Sequence, residues 1–226
     1  MTLGGQMPNI FEEAHLSDNA KVTGDALVFG HSRIYGNARI YGDAQVYEDS
    51  HVSGNALVYA NGRVYGTSRI CGEAQVAGQS RVYGDARVSG NAFIHGQAHI
   101  LGSARVSGSA QILDAAQISG DASVSGNVRI YGNARISGDA RVYGDVQILG
   151  QALIESSQHW FSLTQGGETM SIYRSTRPGG FEINIEGQEV TIELLDEDLG
   201  RFVQRTIEAN FDLAKKKGAQ ISALRR

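Results

Sequence analysis

A branched aliphatic residue stands at every sixth position from Ile10 to Ile154. Of the 25 positions in that series only Leu16 is neither valine nor isoleucine, and the count never slips. Two residues before each one the side chain is small, as at Ala26, Ala38, Ala86 and Ala140. Val128 and Val146 are the largest departures. Two residues after comes glycine, at 19 of the 22 positions from Gly24 to Gly150; Glu48, Ala60 and Asp114 fill the other three. The next residue is often Asn or Asp, as at Asp25, Asn37, Asn55, Asp85 and Asn127.

The chain carries 29 glycines but only 2 prolines, so the glycine is not collagen-like. Hydrophobic residues at 41% are too many for a disordered chain. In a piece such as Ala-Arg-Val-Tyr, side chains alternate with period two, so Ala and Val point inward and Arg and Tyr outward. Gly-Asn or Gly-Asp then turns the corner, because both residues tolerate positive φ. Short strands joined by identical corners wind into a parallel β-solenoid. Three hexads make a triangular coil of 18 residues, and about eight coils stacked at ~4.8 Å give a rod roughly 38 Å long.

This hexad resembles the hexapeptide-repeat superfamily over residues 8–155. The resemblance implies a mainly β fold, the left-handed parallel β-helix, best known from trimeric acyltransferases. Typical members place Gly or a small acid directly after the Val/Ile. Here Tyr, Ser or Leu sits there and Gly comes one later, and this Asn-Ala-Arg-Val-Tyr-Gly style is similar to the YdcK-like branch. The acyltransferase activity of the better-known members would need an acyl-CoA such as acetyl-CoA, a histidine base and a groove between neighbouring chains. Function lives in sites grafted on folds, so the repeat implies the rod more strongly than the activity.

A step of 18 sorts the outward residues into three faces. One carries Arg33, His51, Arg69, Arg87, Arg105, Ser123 and Arg141, beside Tyr35, Ser53, Cys71, Ser89, Ser107, Ser125 and Tyr143. Stacked arginines repel unless solvent or an anion screens them, so Arg69, Arg87 and Arg105 are candidates for anion binding. The second face carries Phe29, Tyr47, Tyr65, Tyr83 and Leu101, with Leu27, Gln45, Arg63, Arg81 and His99 alongside. A contiguous apolar ladder of this kind marks a candidate oligomer interface, and the resemblance favours a trimer. The third face mixes Tyr41, Leu57, Tyr59, Phe93, His95, Leu113 and Tyr131.

Among the histidines His31, His51, His95, His99 and His159, the pair His95 and His99 stands out because it flanks one corner. Imidazole suits a general base, so these two are the candidate catalytic residues of an acyltransferase reading. No hexad is interrupted by the loop that builds the pocket in catalytic relatives, which favours a non-catalytic structural or interaction protein with no cofactor. No nucleophile elbow, P-loop, dinucleotide fingerprint or metal spacing is present. Cys71 is the only cysteine, which excludes an internal disulfide. From Asn19 to Ile154 there are 11 basic and 10 acidic residues, a net of +1, which argues against nucleic acid. The opening MTLGGQMPNI lacks the pattern of a secretory leader, and no run of apolar residues is long enough to span a membrane. A soluble, cytoplasmic chain is expected.

The solenoid ends need caps. Residues 1–18 are expected to cap the first coil, 19–155 to form the repeat, and 156–226 to form a small α+β domain. In that last segment Trp160, Phe161 and Leu163, then Met170, Ile172 and Tyr173, read as strands. Phe181, Ile183 and Ile185 alternate with polar residues, turn at Glu186-Gly187-Gln188-Glu189 and resume as Val190, Ile192 and Leu194. Asp196 can cap a helix whose apolar face is Leu199, Phe202, Val203, Ile207 and Phe211. Lys215, Lys216 and Lys217 before Gly218 match its C-terminal stop. Trp160 is expected to pack at the junction with the rod, and the loop Ser175–Gly180 is a candidate contact site for a protein partner.

Overall fold

A computed structural model describes residues 9–156 and, beyond them, the strand backbone of residues 160–165, 168–174, 180–185 and 188–193. From Asn9 to Ile154 the chain forms 25 short parallel strands in three sheets. Sheet A holds nine, from Asn9–Ile10 to Leu153–Ile154. Sheet B holds eight, from His15–Leu16 to Arg141–Gly144, and sheet C eight, from Lys21–Val22 to Gln147–Ile148. Each strand pairs with the one 18 residues on: Arg63 with Arg81, Arg69 with Arg87, Phe93 with Gln111. The architecture is therefore a parallel β-solenoid of about eight coils.

The core follows the hexad. Every Val/Ile from Val28 to Ile154 is buried, and so is the small residue two before it. Small side chains are needed there because the triangular interior narrows beside each corner. Where serine replaces alanine, the hydroxyls of Ser50, Ser68 and Ser80 find a local carbonyl acceptor, whereas the buried Ser32 hydroxyl has none. Ser50 Oγ donates to the Tyr47 carbonyl at 2.9 Å and Ser68 Oγ to the Tyr65 carbonyl at 2.8 Å. Val128 and Val146 are also buried, and they come directly after the two longest strands of the solenoid, Ser123–Gly126 and Arg141–Gly144. The corner glycines of those strands have φ of 91° and 93°, against 62–74° at the other corner glycines. A valine where alanine normally sits thus coincides with a flatter corner, which gives the larger side chain room.

Glycine at the corners meets two demands. At Gly66, φ is +74° and an added Cβ would stand 2.7 Å from the Gly84 nitrogen of the next coil. Glu12, Asp18, Glu48 and Asp114 adopt positive φ without being glycine, and each accepts a hydrogen bond from the corner glycine 18 residues on. Gly30 N–H donates to Glu12 at 2.9 Å, Gly36 to Asp18 at 2.9 Å, Gly66 to Glu48 at 2.7 Å and Gly132 to Asp114 at 3.0 Å. The carboxylate bond offsets the left-handed strain, which costs roughly 1–2 kcal/mol per residue. On the corner between sheets B and C, Asn19, Asn37 and Asn55 form a side-chain amide ladder, with bonds of 3.2 and 3.0 Å.

Among the described residues the first strand starts at Asn9, whose partner is Leu27, so residues 9–18 of the segment expected as a cap already carry strands of the solenoid. Residues 1–8 lie outside the described residues. The last solenoid strand ends at Ile154, where the hexads stop. Beyond it, Trp160–Gln165, Glu168–Arg174, Gly180–Ile185 and Gln188–Glu193 form a four-stranded antiparallel meander in chain order. Ile185 pairs with Gln188, so the expected turn over Glu186–Glu189 is shorter: Gln188 and Glu189 already belong to the next strand. The strand Glu168–Arg174 lies against the solenoid strands Gln147–Ile148 and Leu153–Ile154. The expected helix, from Asp196 to Gly218, lies outside the described residues, and so do His159 and residues 175–179 of the candidate contact loop.

Candidate functional site

A solenoid places like positions of successive coils one strand spacing apart, so its surface is built of columns. On sheet A the column after the buried Val/Ile is Phe29, Tyr47, Tyr65, Tyr83 and Leu101. Its four rings stack face to face, with centroids 4.9 Å apart and planes within 3° of parallel. Each residue of the column is half-buried, because its neighbours cover its faces and leave the edges to solvent. Burial raises the Tyr47 phenol above its ordinary value, with help from Glu48. Burial also raises Tyr65, and the flanking Tyr47 and Tyr83 add to it. Both hydroxyls therefore stay protonated donors well above neutral pH. Phe11 opens the same column and is 53% exposed. The sequence reading missed it by assigning residue 11 to a cap, although it stands 18 residues before Phe29.

His95 and His99 project from different sheets. His95 is exposed on sheet C and stacks against Phe93, ring centroids 5.5 Å apart. His99 is half-buried on sheet A, between Arg81 and Gln117, and its ring meets Tyr83 edge-on at 6.3 Å. Burial lowers the His99 pKa, and Arg81 lowers it further, so both favour the neutral imidazole. Neither histidine has a carboxylate within ion-pair distance among the described residues. The histidine that does is His31, whose Nε2 is 3.1 Å from Glu13 Oε2 and whose Nδ1 is 3.8 Å from Asp49 Oδ1. All three are exposed members of the corner column before sheet B, and an 18-residue step would have revealed them.

Sheet B carries the basic column. His15, Arg33, His51, Arg69, Arg87, Arg105, Ser123 and Arg141 follow one another in register. Arg69, Arg87 and Arg105 occupy three consecutive coils, are exposed, and have no carboxylate within 4.0 Å among the described residues. On one side lie Ser53, Cys71, Ser89 and Ser107; Cys71 is a free, exposed thiol. On the other side lie the corner residues Thr67, Asp85 and Ser103, which the sequence reading did not group with the arginines. Together Thr67, Arg69, Asp85, Arg87, Ser103 and Arg105 line a cleft of ≈ 270 Å³. The Asp85 carboxylate accepts the Thr67 hydroxyl and is not paired with an arginine. His51 sits at the end of the run. Burial lowers its pKa, Arg33 and Arg69 lower it further, and Asp49 opposes them.

Among the described residues no group of three or more His, Cys, Asp or Glu is arranged to hold a metal ion. No helix among them is long and apolar enough to cross a membrane. No curated protein matches the chain. The segments 32–48, 80–96, 116–132, 128–144 and 134–150 each match the family model of the YdcK Beta solenoid repeat. Each matched segment falls within the in-register coils described above, so in these segments the parallel solenoid is similar to the YdcK Beta solenoid repeat.

Proposed function

We propose that this chain is a non-catalytic scaffold: a rigid rod, left-handed as the hexapeptide resemblance implies, that self-associates through sheet A and presents residues 156–226 to a protein partner. The observation that carries this reading is the unbroken 18-residue register, from Asn9 opposite Leu27 to Arg135 opposite Leu153. An acyl-transfer pocket needs a base, an acceptor and an acyl carrier brought within hydrogen-bond reach. Along a rod with no inserted loop, outward side chains diverge from the axis and do not converge on such a point. The aromatic column supports self-association, because ring edges and phenol hydroxyls form an apolar surface with polar tips, the chemistry enriched at interfaces. The hexapeptide resemblance favours three copies.

The test measures solution mass and ligand response on the full chain. Light scattering on wild type should give an oligomer, and Tyr65→Glu should shift it to monomer while the circular dichroism spectrum is retained. A monomeric wild type, or a Tyr65→Glu variant of unchanged mass, overturns self-association through sheet A. Acetyl-CoA should leave the melting temperature unchanged. A rise that His95→Ala or His99→Ala abolishes would establish the acyltransferase reading in its place, with the neutral His99 as its base.

A further inference from the structure

The arginines of sheet B are spaced by the backbone, and that spacing limits what can neutralise them. Arg69, Arg87 and Arg105 stand opposite one another in adjacent parallel strands, so their charges recur at about the strand spacing of ~4.8 Å. Charges of one sign held that close repel, and no carboxylate of the described residues answers them. The nearest acid in the cleft, Asp85, is turned to Thr67. The three cations lie in a line. They do not surround a point, as a site for one phosphate would require; they line one cleft together with Thr67, Asp85 and Ser103. Their geometry suits a linear polymer that carries one anion per strand spacing.

The flanking columns narrow the class further. Ser53, Ser89 and Ser107 on one side, and Thr67, Asp85 and Ser103 on the other, supply hydroxyl donors and acceptors beside every guanidinium. Single-stranded nucleic acid would need aromatic platforms next to the cations and a strongly basic surround. On sheet B the column Ser53, Cys71, Ser89 and Ser107 beside the arginines holds no ring, and the acids Asp49, Asp85 and Asp121 line the adjacent corner. Carboxylate suits guanidinium through paired parallel hydrogen bonds. An extended β-1,4-linked pyranose chain advances by about one strand spacing per sugar and turns over at each step, so laid flat on the sheet it sets its carboxylates alternately to the left and right of the arginine line, within the swing of the long guanidinium side chains.

The geometry points to sheet B as a binding face for an acidic polysaccharide with one carboxylate per sugar, laid along the rod axis with a uronate on each of Arg69, Arg87 and Arg105. Exposed Tyr35 and Tyr143, on the same sheet and 39% and 64% exposed, stand beyond the two ends of this run where further sugars would pass. The inference does not depend on self-association through sheet A.

The test titrates the full chain, in low salt free of divalent cations, with a hexamer of β-1,4-linked mannuronate. Binding should weaken about tenfold or more in Arg87→Glu, which removes the middle contact and adds repulsion. Arg39→Glu, on sheet C, should stay within about twofold of wild type. The methyl ester of the hexamer, which keeps every hydroxyl but no charge, should not bind. Affinity should rise steeply from dimer to trimer as the third arginine is engaged. Melting curves of both variants check that they fold. Equal loss in the two variants, equal binding of the methyl ester, or tighter binding of a thymidine hexanucleotide would each overturn the assignment.

Discussion

Sheets A and B share one backbone, one register and one buried core, yet they treat stacking in opposite ways. On sheet A the residues brought together are rings, and planes at 4.9 Å satisfy one another within the chain. On sheet B they are guanidinium groups, and the same spacing leaves three like charges with no partner among the described residues. A parallel solenoid does not choose which side chains meet; it stacks whatever the repeat supplies. Chemistry then decides whether a column is complete in itself or open to something from outside. The aromatic ladder is half-buried by its own members, so it contributes to stability before any oligomer forms. The arginine ladder contributes nothing of that kind.

The contrast can be broken or sharpened by substitution. The largest effect should come from beneath both faces. Ile100→Ala removes a fully buried side chain of the shared core and should cost about 2–5 kcal/mol, read as a lower melting temperature and earlier denaturant unfolding. A loss well under that range would mean that the coils repack independently of the ladders above them. Next come single substitutions on the two faces, which should have opposite signs. Tyr65→Ala breaks two ring stacks and should destabilise the chain by about 1–3 kcal/mol, at about 0.5–1.5 for each pair. Arg87→Gln removes two like-charge contacts and should raise stability by about 0.2–1 kcal/mol in low salt, a gain that added salt erases. If Arg87→Gln destabilises as Tyr65→Ala does, the arginines have a partner within the chain and the contrast fails.

The smallest effect is in pH. His51 lies between Arg33 and Arg69, and burial followed by these two charges holds its pKa below the ordinary value of 6.5. The native state therefore favours neutral imidazole, and on acidification the unfolded chain takes up the proton first. The stability this confers is whole above the ordinary histidine value and is lost as pH falls through the lower native one. Wild type should lose slightly more melting temperature between pH 7 and pH 5 than His51→Gln. The difference is below about 1 kcal/mol, because the ring is largely exposed and Asp49 opposes the arginines. Equal slopes in the two proteins would show that His51 does not sense the charges of its column.

Most of the solenoid was legible in the sequence because its signal is one residue deep and repeats every six. Val/Ile marks the buried column and Gly the corner, so the 18-residue step reproduces the observed partners such as Arg69 and Arg87. The candidate surfaces were legible only as columns. Thr67, Asp85 and Ser103 were missed as neighbours of the arginines because they belong to the corner, across a turn whose direction composition does not encode. The salt-bridged His31 is different: its partners Glu13 and Asp49 lie 18 residues to either side in its own column, so the step that found the other columns contains them. The end of the chain was less legible, since alternation there locates strands but an antiparallel meander has no repeat to set its turns: Gln188 and Glu189 read as turn and belong to a strand.

By itself, then, the sequence determined that this chain coils, with which period, and which side chains face inward. A strict repeat leaves one way to bury every Val/Ile at once, and that constraint acts locally. Tertiary structure alone decided what happens between coils. It turned the corner acids Glu12, Asp18, Glu48 and Asp114 into acceptors for a glycine N–H one coil on. It also closed the faces of the tyrosines against each other and left the arginines open. These outcomes rest on contacts between residues 18 apart, made at ångström scale by the stacking of complete coils, and no stretch of sequence shorter than two coils contains them.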